Sequence, residues 1–156
     1  MQETVREILS ESGFSYSIET YEYNPQGSAI GVQAAKSMGQ AETNVAKTLI
    51  IEVDKKHPVC AVLPAHKKTN MEAIAALIDG KKARMMNAEK STQMTGFQSG
   101  GTSPLGVFKL MPVFIAQELE QITSMYVNAG GRGVVVKIAP QHLAQITSAK
   151  FVDISI

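Results

Sequence analysis

The chain has 156 residues, 44% hydrophobic and 19% charged, with a formal net charge of +1. That length and balance are ordinary for one globular domain over residues 1–156 with a real core, and no apolar run approaches the roughly 20 residues needed to cross a bilayer. A chain so close to neutral is also excluded from gripping long stretches of nucleic acid, so any such contact is expected to be small and local.

In chain order, Val5, Ile8 and Leu9 mark a short amphipathic helix that Gly13 can end. The stretch before it has no apolar signal-peptide core, so a cytoplasmic location is expected. Phe14 to Tyr23 alternates as a strand and stops at the turn Asn24-Pro25-Gln26-Gly27. A second helix runs through Val32, Ala35 and Met38 to Gly39. Ala46 to Val53 and Pro58 to Leu63 flank the polar DKKH, the pattern of a hairpin. Cys60 sits inside the second of these apolar runs and reads as a core thiol, and as the sole cysteine it has no disulfide partner. Thr69 and Glu72 have capping-box spacing before MEAIAALID, with Gly80 as the stop. A short strand at Ala83 to Met86 and a helix near Ala88 to Met94 lead into TGFQSGGTSPLG, Thr95 to Gly106. Strands then follow at Met111 to Ala116, Ser124 to Asn128 and Val134 to Ile138. Pro140 starts a helix through Leu143 and Ile146, and Phe151 to Ile154 closes as a strand. Hairpins mixed irregularly with short helices indicate an α+β fold around one mixed, largely antiparallel, open-barrel-like sheet.

Two features carry chemistry. The glycine-rich stretch lacks the lysine of a Walker loop, the spacing of a dinucleotide fingerprint and the GxSxG of a nucleophile elbow. What it can do is present backbone N–H groups: Gly100 and Gly101 can take φ > 0 and form an anion-accepting nest, Thr102 and Ser103 add hydroxyls, and Pro104 sets the exit direction. A plain surface loop between two strands would have the same composition. The second feature is Lys47, a cation entering the apolar strand AKTLIIEV. Such a lysine either snorkels to solvent or clamps an anion as a point charge. His57, His66 and His142 are scattered without ligand spacing, so no metal and no cofactor are expected.

Taken together, TYEYNP at Thr20–Pro25, KTLI at Lys47–Ile50, GFQSGGTSPLG at Gly96–Gly106, NAGGRG at Asn128–Gly133 and KIAPQHL at Lys137–Leu143 resemble, in that order, the YbaK/EbsC family of free-standing aminoacyl-tRNA deacylases. That family is related to the editing insertion domain of bacterial prolyl-tRNA synthetase. The resemblance implies hydrolysis of the ester joining a wrong amino acid to tRNA, cysteine first and alanine or another small residue second. It implies that Lys47 sits against the 3′-terminal nucleotide and that Gly100 to Pro104 hold the aminoacyl carbonyl through backbone N–H groups. By the same resemblance Lys47, Gly100, Gly101 and Ser103 form the catalytic set, and Tyr21, Ile30, Thr48, Thr102, Pro104 and His142 contact substrate. The partners implied are the CCA end of aminoacyl-tRNA and prolyl-tRNA synthetase. The chain departs from cysteine-specific relatives at Ile30-Gly31 (commonly FG), at SPLGVFKL (often SPLGQKKR) and at His142 (an acidic residue). A non-catalytic module that binds an aminoacyl or nucleotide end and regulates a partner is the alternative, and a general small-ester hydrolase a third reading.

Overall fold

The computed structural model describes residues 1–24 and 30–156, with positions 30–32, 34 and 42 described by their backbone alone. The expected turn at Asn24-Pro25-Gln26-Gly27 therefore lies, from Pro25 on, outside the described residues. Helix α1, Glu3–Ser12, buries Val5 and Leu9 and ends at Gly13, whose φ of 78° is the left-handed conformation glycine adopts without a Cβ penalty. Strand β1 is only Ser17–Thr20, shorter than the alternation suggested, because its one ladder partner runs from Val134 to Lys137. Helix α2, Ile30–Met38, is tied to the segment after β1 through Gln33, whose side-chain amide both donates to and accepts from the Asn24 backbone.

Strands β2, Ala46–Val53, and β3, His57–Pro64, form the expected hairpin. Asp54 and Lys55 both have positive φ, the geometry of the type I′ turn that suits twisted strands. After it, helix α3 covers Met71–Leu77. Its cap is Asn70, whose side-chain Oδ1 accepts from Ala73 N at 3.1 Å, and not Thr69, which bridges to Ser155 instead. Nor is Gly80 a left-handed stop, since Asp79 takes that conformation. Gly80 is glycine because a Cβ there would lie 2.2 Å from Val53 Cγ1. Strand β4 is Ala83–Met85, and α4, Ala88–Thr95, is capped by Asn87 and closed by Gly96. A 3₁₀ turn at Pro104–Gly106 leads to β5, Val113–Ala116. Then come β6, Met125–Asn128, β7, Val134–Ile138, α5, Pro140–Thr147, and β8, Lys150–Val152.

The fold is α+β, as the hairpins and short helices indicated, but the strands divide into two sheets. One is five-stranded in the order β4-β2-β3-β5-β8, and the other is the antiparallel β1-β7-β6. Pairings β3–β5 and β5–β8 are parallel and the others antiparallel. Every residue of β5 is buried, as a central parallel strand covered on both faces requires. The sheets meet through a parallel bridge between Val45 and Tyr126. Beside that junction lies a small apolar cluster of Tyr21, Ala35, Val45, Ala65, Tyr126 and Val135, separate from the main core.

Candidate active site

Strand β2 is bordered unevenly, and that makes a cavity. Its even-numbered residues turn their backbone N–H and C=O away from β3. Met86 N donates to Ile50 O at 3.0 Å, and Asp54 N donates to Lys82 O at 2.7 Å. On this side β4 pairs only with Ile51–Val53, whereas β6 runs alongside but forms a bridge only at Val45. Among the described residues, Thr48 pairs with Val62 of β3 but has no strand partner on this side. A cavity of about 290 Å³ opens at this gap, walled by β2 from Val45 to Ile50, by Met85 and Met86, by Ser91 and Thr92 of α4, and by the glycine loop. Tyr21, Asn128 and Val135 complete it.

Lys47 projects into this wall half-buried, with no ion-pair or hydrogen-bond partner among the described residues. Burial pushes its pKa below the ordinary lysine value, because no acceptor compensates the desolvated ammonium. Thr48 Oγ1 and Tyr21 Oη are also buried without a hydrogen-bond partner among the described residues. For Tyr21, burial raises the phenol pKa; the backbone of Gly133 opposes part of that rise, yet no group meets hydrogen-bond geometry at Oη. Buried polar atoms without partners are rare in folded proteins, and two of them beside the half-buried Lys47 ammonium on one cavity indicate a polar ligand.

The loop from Gly96 to Gly106 is built to free particular amides. Gly100 has φ of 83°, where a side chain would be strained. Behind it the carbonyls are all engaged. Gln98 O accepts from Gly101 N at 2.8 Å, Ser99 O from Arg132 Nε at 2.9 Å, and Gly100 O from Asn128 Nδ2 at 3.1 Å. Among the described residues, the N–H groups of Gly100 and Thr102 have no acceptor, and both residues line the cavity. Left unengaged beside the cavity, they are available to a hydrogen-bond acceptor on a ligand. Gly101 is a correction: its φ is not positive and its N–H is spent within the loop. It is glycine because a Cβ would stand 3.2 Å from Arg132 N and from the Gly131 carbonyl carbon. Ser103 is also placed differently from expectation. It is fully buried, and its hydroxyl oxygen accepts from Leu105 N at 3.2 Å, holding the turn that Pro104 opens.

Asn128 was visible in the sequence only as part of NAGGRG, with no role attached. Its Nδ2 donates to Gly131 O as well as Gly100 O, and its Oδ1 accepts from Gly130 N and Gly131 N. One side chain thus folds the second glycine loop and fastens it to the first. Arg132 adds a second tie and lays its guanidinium over the Tyr23 ring, 5.0 Å from the centroid. The signal available in sequence was an asparagine at a strand end before two glycines, the composition of a side-chain-braced turn.

The structure brings together Lys47, Tyr21, Thr48, Gly100 and Thr102; Gly101, Ser103 and Pro104 stand behind the loop. Ile30 opens α2, and its side chain lies outside the described residues. His142 is not in the wall. It belongs to α5, which packs against the Pro104–Gly106 turn, and its ring stacks on Phe14 with centroids 4.2 Å apart. Cys60 is fully buried in β3, and burial pushes its thiol pKa far up, so it is no nucleophile. No His, Cys, Asp or Glu lines the cavity among the described residues.

A cavity whose described residues supply one cation, unengaged backbone amides and no His, Cys, Asp or Glu suits an activated ester, and comparison with known proteins agrees. Residues 25–146 match the model of the aminoacyl-tRNA editing domain. The chain belongs to that family. Among relatives of this editing domain, a protein of Enterococcus faecalis is 31% identical over 121 residues, 78% of this chain and 74% of the relative. It carries the provisional name Cys-tRNA(Pro)/Cys-tRNA(Cys) deacylase EbsC. The editing-domain fold also superposes on the crystal structure of hypothetical protein APE2540, with a TM-score of 0.87, 21% identity and coverage of 98% and 99% of the two chains. A second crystal structure, provisionally described as a trans-editing enzyme for prolyl-tRNA synthetase, gives a TM-score of 0.84 at 19% identity over 100% and 99%.

Proposed function

We propose that this editing domain acts in trans as an aminoacyl-tRNA deacylase, hydrolysing the ester of tRNA that carries a wrong small amino acid. Cys-tRNA(Pro) is the first candidate, in keeping with the name of the Enterococcus faecalis relative, and an alanyl ester is the second. The observation that carries the reading is that Gly100 and Thr102 N–H groups and the Lys47 ammonium, all without partners among the described residues, meet on one cavity. Lys47 holds a phosphate of the terminal nucleotide, and the two amides receive the ester carbonyl oxygen. As the nucleophile adds, the carbonyl oxygen becomes an oxyanion between those amides. The bond to the ribose oxygen then breaks, and that oxygen leaves with a proton. A preorganised donor of this kind is typically worth about 2.7–4 kcal/mol in the transition state, which is substantial for an ester that is already activated. Among the described residues no His, Cys, Asp or Glu lines the wall, so the nucleophile is water, acting directly or assisted by the ribose 2′-hydroxyl, or the thiol of a cysteinyl substrate, whose thioester water then cleaves.

Editing of this sort answers a physical limit: a synthetase pocket discriminates one methylene by only about 1–3 kcal/mol, so a second hydrolytic site removes what slips through. The site calls for the acceptor end of aminoacyl-tRNA as partner, with prolyl-tRNA synthetase as the source of the mischarged product. The deciding experiment is a panel of Cys-, Ala- and Pro-tRNA(Pro) incubated with one preparation. Release of the cysteinyl or alanyl ester above the spontaneous rate, with Pro-tRNA(Pro) spared, is expected. Tight binding with no release would instead identify a non-catalytic module.

A further inference from the structure

We infer that the open edge of β2 at Thr48 reads the base of the terminal adenosine by strand-like hydrogen bonding. This rests on the deacylase reading for its substrate and deepens it by assigning the part of the cavity that the carbonyl donors and Lys47 leave unused. The backbone register is the starting point. Because even-numbered β2 residues face away from β3, the Thr48 N–H and C=O and the Ile50 N–H point into the gap between β4 and β6. The Ile50 carbonyl is already taken by Met86 N, and the Ile50 N–H has no acceptor among the described residues. The gap thus offers one acceptor, the Thr48 carbonyl, flanked by donors, in the plane of a missing strand. The Thr48 Oγ1, buried and unpartnered among the described residues, stands on the same residue.

A ligand group that satisfies this rim must both donate and accept along one edge. An α-ammonium group only donates, and would leave the edge N–H groups unpaired at a cost. A phosphate only accepts, and Lys47 already suits it. The Watson–Crick edge of adenine has the required pair, an exocyclic amine that donates to the Thr48 carbonyl and a ring N1 that accepts from the Thr48 or Ile50 N–H. The flanking walls fit a flat ring: Leu49, Met85 and Met86 supply apolar surface, and thioether sulfur packs favourably against aromatic rings. Met85 is 48% exposed, so its side chain is accessible to a ring bound against this edge. The edge would then fix the nucleoside while the ester is presented to Gly100 and Thr102.

The test uses cysteinyl minihelices whose last nucleotide is adenosine, purine riboside (lacking the amine), 1-deazaadenosine (lacking N1) or 7-deazaadenosine. Purine riboside and 1-deazaadenosine are expected to lower kcat/KM about tenfold, the scale of one lost hydrogen bond with its partner left unsatisfied, while 7-deazaadenosine keeps the native rate. Equal rates for all four would overturn the edge assignment while leaving the deacylase intact. If the adenosine-ended minihelix is not hydrolysed, the deacylase reading falls, and a titration of the protein with AMP decides the edge on its own. Saturable amide ¹H–¹⁵N shifts at Thr48 or Ile50 with AMP, absent with purine riboside 5′-monophosphate, support it. Unmoved amides at both residues refute it.

Discussion

Lys47 is costly to the fold, and that cost is informative. Among the described residues this half-buried ammonium has no counter-ion, so it is desolvated for no structural return and its removal should spare or raise stability. Lys47→Met is expected to lower deacylation by about 100-fold or more, on the scale of losing a positioning charge, with Tm unchanged or higher. A folded variant that keeps near-wild-type turnover would remove Lys47 from the site. Lys47→Arg should also be poor, because a planar fork does not replace a compact point charge. The pH dependence has a definite sign. The charged form is the active one and burial depresses its pKa, so kcat/KM should fall on the alkaline side as pH rises through a value below that of free lysine. Asn128 acts differently, through the loop it braces. Asn128→Ala removes the side-chain bonds to Gly100, Gly130 and Gly131, and a loop misplaced by about 1 Å loses roughly 100-fold in rate. Its readout is kcat with little change in the affinity for AMP. Gly101→Ala should lower both Tm and rate, since its methyl would press on the backbone of Gly131 and Arg132. Loss of rate with no loss of stability would return the Gly101 N–H to a direct catalytic role.

At the scale of elements, the cavity depends on β4 and α4 standing off from β2 by a fixed amount. Glu52 sets that spacing. Its carboxylate, on a residue 4% exposed, accepts from Arg84 Nε of β4 at 2.8 Å and from Lys90 Nζ of α4 at 2.7 Å. These two bonds, Lys90 foremost, hold the Glu52 pKa below the usual carboxylate range. A depressed pKa contributes stability above the unfolded value and loses it as pH falls through the folded one. Glu52→Gln should therefore lower Tm near neutral pH, with the gap to wild type closing under acid conditions. Because α4 carries Ser91 and Thr92 into the wall, the variant should also weaken substrate binding, seen as a raised KM before any fall in kcat. A constant difference in Tm across the acid range would show that the carboxylate charge is not what clamps α4.

For the whole molecule, the near-zero balance of charge limits how RNA is held. A net charge of +1 leaves little to track a phosphate backbone, so recognition concentrates where the cavity is. A minihelix ending in CCA should be hydrolysed almost as fast as whole tRNA by the protein alone. Binding should also respond weakly to salt, with a slope in log–log form near −0.7 for each phosphate contacted on a single strand. A strict anticodon requirement without synthetase, or a slope equivalent to many contacts, would contradict this account. Discrimination among tRNAs would then have to reside in a surface beyond the cavity.

The local grammar of the chain was sufficient for much of this. Gly13 ends its helix, the β2–β3 hairpin keeps its expected span at Ala46–Val53, and β7 lies at Val134–Ile138, because caps, turns and alternation act over a few neighbouring residues. Lys47 and the Gly100 loop were legible for the same reason: a cation in an apolar strand and clustered glycines beside a proline are anomalies in their own neighbourhoods. The tertiary structure alone decided what those residues could do. Whether Thr48 has a free edge depends on where β4 and β6 leave β2, and the partners concerned, Met85 and Tyr126, are distant in the chain. Which loop amide is free depends on carbonyls captured by Asn128 and Arg132 from another strand connection. His142 and Thr69 were misplaced in the reading for a related reason, since stacking on Phe14 and bridging to Ser155 bring together side chains and backbones that no short window contains. Propensity and pattern are set by adjacent residues, whereas an unpaired donor is a remainder left after all long-range pairing is complete.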